Sequence, residues 1–228
     1  MIMIMIMIMI RRYAMLAPLK PLLALILLLV ATACAQAPVV QQQPAAEFAA
    51  EGLHPVSSSG FAAAYARPDA RLSTYRTVNI EVLELGNIDI SRTPVAGTLR
   101  RDWQMTPDRE VALQQVWARA MDRSFSGYQR ASSGDNTLRI AARMTGIAPG
   151  RPTATTVGGG LQSMASSQDV VKVSMEFRLY NQAGGELLAV IRDSRTMVSV
   201  AMSRTTPVAV QTMFNSWAAL LHTRVSGK

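Results

Sequence analysis

Side chains able to do nucleophilic, acid–base or metal chemistry are scarce: one cysteine, Cys34, and two histidines, His54 and His222, in 228 residues. A hydrolytic triad needs an imidazole held between a nucleophile and a carboxylate. His54 falls in a stretch rich in Ala, Gln and Pro, and His222 near the end of an expected C-terminal helix, where an imidazole interacts favourably with the negative helix end. Neither position suits a general base, so no catalytic residue is assigned. Metal-ligand spacing of the cysteine–histidine kind is absent, and no metal or cofactor site is expected. Among the acids, Glu81 and Glu84 lie three apart on an expected strand, which points them to opposite faces. Asp169, Glu176, Glu186 and Asp193 flank an expected hairpin, where solvated carboxylates belong. Gly158-Gly159-Gly160 is followed by no Gly-Lys-Ser/Thr, so it is no phosphate loop. The expectation is a protein that is not an enzyme.

Cys34 has other chemistry open to it. Upstream stand Arg11, Arg12 and Lys20, then an apolar run over residues 21–33 that closes in Ala31-Thr32-Ala33. A positive segment, an apolar segment and a small-residue exit make a secretory signal peptide, and the run is shorter than the ~20 residues a membrane span needs. Small residues directly before a cysteine resemble a bacterial lipobox. In such signals the thiol receives a diacylglycerol, the chain is cut before the cysteine, and the new amino group is acylated. Ala31 stands where leucine is commonest. An ordinary signal-peptidase cut nearby and an uncleaved anchor are the other readings, since Ala31-Thr32-Ala33 also fits A-x-A. A thioether to lipid would remove the one free thiol from an oxidising compartment. At about 0.8 kcal/mol per buried CH₂, several acyl chains anchor a protein durably. Ala35, in place of the aspartate that retains many lipoproteins in the inner membrane, implies the periplasmic face of the outer membrane. The opening MIMIMIMIMI lies upstream of the basic segment and is expected to be absent from the mature chain, and Tyr13-Ala14-Met15 after the arginine pair fits twin-arginine export poorly.

Removing residues 1–33 takes away Arg11, Arg12 and Lys20 and no acid, so the net charge falls from +8 to +5. The remaining basic residues are scattered, which argues against nucleic-acid binding. Residues 34–60 read as a lipidated N-terminus and flexible tether. Residues 61–228 read as a single periplasmic domain. YRTVNIEVLEL alternates Val78, Ile80 and Val82 with Asn79 and Glu81, a half-buried strand. Thr106 and Pro107 open a helix whose apolar side is Leu113, Val116, Trp117, Ala120, Met121 and Phe125. NTLRIAARMTGI and DVVKVSMEFRLY return to period two, NQAGG supplies a hairpin turn, and ELLAVIRDSRTMVSV returns. Residues 146–169 are expected to be a long loop, either a mobile partner-binding segment or a plain connection. The last helix starts at Pro207 and carries Val210, Phe214, Trp217, Ala218 and Leu221 as its stripe. The order strand, helix, three strands, helix predicts an α+β fold. It is a single domain, an antiparallel sheet of about four strands covered on one side by two helices.

The set of the lipobox, the first strand, the helix VALQQVWARAMDRSF, the strand LRIAARMTGI, the hairpin VKVSMEFRLYNQAGGELLAVIRDSR and the terminal FNSWAALLHTRV resembles an uncharacterised family of Gram-negative envelope lipoproteins, over roughly residues 70–225. The resemblance carries no catalytic residues. It implies an outer-membrane-anchored lipoprotein, attached to the membrane through lipid on Cys34, that acts as a binding or scaffolding module with an envelope protein as partner. Rival expectations are an auxiliary subunit of an envelope transport or secretion complex and a hydrolase of envelope glycans or lipids.

Overall fold

A computed structural model describes residues 37–90, 105–150, 170–198 and 208–227. The expected leader, Cys34, Asp169, Pro207 and most of the 146–169 segment lie outside these residues. Among the described residues there are nine strands: β1 Val39–Val40, β2 His54–Ser57, β3 Ala63–Ala66, β4 Thr77–Ile80, β5 Asp89–Ile90, β6 Gln129–Arg130, β7 Thr137–Gly150, β8 Val170–Asn181 and β9 Leu187–Val198. Two long helices accompany them, α1 Pro107–Ser124 and α2 Val208–Ser226.

Alternating sequence builds the centre of the sheet. β7, β8 and β9 run antiparallel in long register, Ile140 opposite Leu179 and Phe177 opposite Ile191. One face of β7 and β8 is apolar and buried, with Leu138, Ile140, Ala142, Val173, Met175 and Phe177 on it. The NQAGG turn joins β8 to β9 with Gly185 at φ +64°, a left-handed conformation glycine adopts without a Cβ penalty. α1 begins as its residues dictate: Thr106 accepts a hydrogen bond from the Arg109 amide, Pro107 occupies the first turn, and Asp108 and Glu110 face the positive helix end. Both helices lie on this apolar face. Trp117 stacks on Phe177 at 5.7 Å between centroids and meets Phe214 of α2 edge-on at 5.5 Å. Trp217 is fully buried, its Nε1–H donating to Asp193 at 2.7 Å.

The two helices match expectation; the four-stranded antiparallel sheet does not. The sheet has nine strands and is mixed, in the order β1-β2-β3-β9-β8-β7-β4-β6, with β5 also on β7. β4 is parallel to β7 because a helix, not a tight turn, returns the chain between them. Five strands escaped the sequence reading. β1, β5 and β6 are two residues each, too short to show a period, and β2 and β3 lie in HPVS and AAYA, where Pro and Ala blur alternation. β7 also runs on through Gly150, into the segment expected to be loop.

The stretch expected to be tether contributes two strands to the sheet and packs the segment between them onto it. The compact unit begins at Pro38. β1 pairs with β2 and β2 with β3, which borders β9. Between β1 and β2, Phe48 and Leu53 cover Val190 on the face of the sheet opposite the helices, making a second, smaller core with Ala45. Phe48 and Tyr65 rings sit 5.0 Å apart.

Candidate functional site

β4 does not keep its expected register. Ile80 pairs with Ile140 and Glu84 bridges Arg143, so four steps on one strand match three on the other. One extra residue in a strand turns every later side chain to the other face. Val82, expected inward, is 72% exposed, and Leu83 and Leu85 are buried in its place. For the same reason Glu81 and Glu84 do not point to opposite faces. Both line a recess of about 240 Å³ on the helix-free face, with Arg139, Arg143, Glu176 and Arg178.

Glu176 is the buried centre of that face. It was expected to be a solvated carboxylate; it is 3% exposed because three guanidinium groups fence it. Oε1 accepts from Arg178 Nε at 2.8 Å and pairs with Arg143 at 2.9 Å, and Oε2 accepts from Arg192 Nε at 2.9 Å. Burial alone would raise its pKa, but the bonds from Arg192 and Arg178 and the charge of Arg143 outweigh it and hold the carboxyl below its ordinary 4.5. Arg192 reaches on to Glu47 at 2.7 Å, lying 5.2 Å over the Phe48 ring, and so ties the N-terminal segment to β9. Arg139 pairs with Glu81 at 3.2 Å and lies 4.0 Å over the Tyr180 ring. Most of the charges in the recess thus satisfy one another, but Arg143 Nε is buried without a hydrogen-bond partner among the described residues. Asp193, another of the four carboxylates expected in solvent, is also largely buried, under α2: it accepts from Trp217, from the Ala62 amide at 3.1 Å and from Arg195 Nε at 3.2 Å.

A larger groove of about 570 Å³ lies between β4 and α1. It exists because β6 covers β4 only at Thr77 and Val78, after which the two strands part. Asn79, Ile80, Glu81 and Val82 form one wall, Gln114, Gln115, Trp117 and Ala118 of α1 the other, and Arg130 to Ser132 close the end. Gln114 spans the walls, its Nε2 donating to the Leu83 carbonyl at 3.2 Å. The Asp122–Arg130 pair, 3.0 Å apart, stands at the β6 end. Trp117 is 1% exposed, and among the described residues its indole Nε1–H has no acceptor. A buried donor without a partner costs about 1–3 kcal/mol, and the indole itself packs on Phe177 and Phe214 as part of the core. The volume is in the range of ligand pockets.

The two histidines are apart from both sites. His54 lies in β2, its Nδ1 2.8 Å from the Gln41 carbonyl oxygen. His222 packs edge-on against Phe125 and Tyr128 at 5.3 and 5.8 Å, a core contact rather than the helix-end interaction expected. No group of three or more His, Cys, Asp or Glu able to hold a metal occurs among the described residues. No helix among them is long and apolar enough to cross a membrane. Sequence reasoning missed the groove because its walls come from a strand and a helix more than thirty residues apart; the Gln114-Gln115 pair beside the apolar stripe was its one trace.

No family model and no curated protein matches the chain. Solved structures similar to it include a PelC dodecamer from Paraburkholderia phytofirmans, 11% identical, covering 69% of this chain and 96% of that one at a TM-score of 0.36. A DUF330 protein from Xanthomonas campestris is 11% identical over 84% of this chain and 97% of that one, TM-score 0.37. A minor lipoprotein from Acinetobacter baumannii is 13% identical over 67% and 94%, TM-score 0.30. Likeness at this level assigns neither family nor activity.

Proposed function

We propose that this chain is a lipid-anchored binding or scaffolding module of the bacterial envelope. Cys34 is the attachment point, and the groove between β4 and α1 is the surface that engages a protein partner. The groove supports this reading most directly: a 570 Å³ cleft bordered by the exposed Val82 and the side-chain amides of Gln114 and Gln115. The module binds rather than catalyses, since the groove's side chains offer amides, a hydroxyl and one ion pair but no nucleophile with a base beside it.

Two experiments test the two halves. Palmitate labelling of the wild type and of Cys34→Ser should place label on the wild type alone; an unlabelled wild type sinks the anchor. A photo-crosslinking residue at Gln115 should capture one envelope protein in intact cells, and Val82→Asp at the groove wall should abolish that adduct. The same crosslinker at Lys172, away from the groove, should capture nothing; equal capture at both positions, or an adduct indifferent to Val82→Asp, refutes the groove as the binding surface.

A further inference from the structure

The strand order fixes which edge of the sheet lies next to the anchor. If Cys34 carries lipid, only residues 35–38 separate it from β1, and five peptide units span at most about 18 Å. The headgroup layer occupies roughly 6 Å of that distance. This stretch cannot lengthen by unpeeling the N-terminal segment without breaking the Arg192–Glu47 pair and exposing Phe48 and Leu53. Among the described residues β1 is an outer strand bonded to β2 alone, and its two valines are exposed, Val39 by 59% and Val40 by 38%. At the far end of the strand order, seven steps away, stands β6, and at ~4.8 Å per step that is about 34 Å.

We infer that the β1 edge of the sheet rests on the phospholipid surface, with Val39 and Val40 at the headgroups, while the β4–α1 groove is presented on the opposite edge, facing away from the membrane. This rests on the lipidation of Cys34 proposed above. The sheet is then the spacer that sets how far the groove stands from the bilayer, a role the sequence reading gave to a tether.

The test uses the full chain, exported by a Gram-negative host, purified from its membranes and returned to vesicles of phosphatidylethanolamine and phosphatidylglycerol that carry a nitroxide on some headgroups. Lipidation leaves no free thiol, so Val40→Cys and Arg130→Cys each accept one fluorophore; Gln42→Cys, also exposed, is a second position beside β1. Labels at 40 and 42 should be quenched several-fold more than the label at 130. Inserting about ten Gly and Ser residues between Ala37 and Pro38 should bring them down to the level of 130. Equal quenching at both edges of a protein that floats with the vesicles overturns the inference and leaves the anchor standing. Labels at position 40 that report on each other between copies, unquenched by lipid, overturn it in favour of strand-paired dimers. A protein that fails to float refutes the anchor and the inference together.

Discussion

Replacing Glu176 by Gln keeps the shape of the buried centre of the helix-free face and removes its charge. The side-chain amide then has one acceptor oxygen for three guanidinium groups, and its NH₂ must turn toward an arginine donor. Two charge-assisted hydrogen bonds, at 2.8 and 2.9 Å and each worth about 1.5–3 kcal/mol when intact, and the 2.9 Å ion pair with Arg143 are lost or weakened. The arginines can return to water, since their side chains are 37–43% exposed, so most of the electrostatic gain is discounted and about 2–3 kcal/mol of net loss remains. For a domain of this size that lowers the midpoint of thermal unfolding by about 5–10 °C. The sign with pH follows from the depressed carboxyl. Its contribution is present in full above the unfolded value of 4.5 and fades as pH falls through the lower folded value. Circular-dichroism melts of wild type and Glu176→Gln should therefore be farthest apart near neutral pH and converge as the solution is acidified below 4.5. Equal melting at pH 7, or a gap that persists unchanged at the acid end, would refute the charge network as the cause.

Leu53→Ala should cost about 3 kcal/mol by opening a cavity in the smaller core, and hydrogen exchange should quicken in residues 39–57 before it does in β7 and β8. Trp217→Phe removes the donor to Asp193 and should cost about 2 kcal/mol in denaturant melts, more than Thr106→Ala. The latter loses a cap whose bond is long, 3.4 Å, and should cost only about 0.5–1 kcal/mol. Glu47→Gln should leave global melting nearly unchanged but loosen the N-terminal segment, seen as faster exchange confined to residues 39–57.

Where a long run of residues alternates or recurs at helical spacing, sequence reading found the element and its buried face: β7, β8, α1 with its Thr106 cap, and α2; β9 it found as the returning strand of the hairpin. Those patterns reflect one repeated choice, apolar toward the core and polar away, made often enough to be visible. Two-residue strands carry no such record. Val39–Val40, Asp89–Ile90 and Gln129–Arg130 are strands only because a neighbour offers the right hydrogen bonds, and that neighbour is remote in the chain. The Ala, Gln and Pro composition of residues 34–60 reads as a tether, yet Phe48 and Leu53 have a surface to bury against once β9 presents Val190.

Sequence alone determined the chemistry available to this protein: a single cysteine behind an apolar run and small residues, two histidines neither of which is placed for a triad, and the periodic stretches that become the sheet centre and its two helices. Tertiary structure decided what those residues do. The extra residue before Glu84 exposed Val82 and brought Glu81 and Glu84 to one recess. Three arginines from three adjacent strands converged on Glu176 and kept it charged out of water. The parting of β4 from β6 opened the groove beside α1. Each of these depends on register between segments distant in the chain, and register is set by pairing in three dimensions, which local residue patterns do not encode.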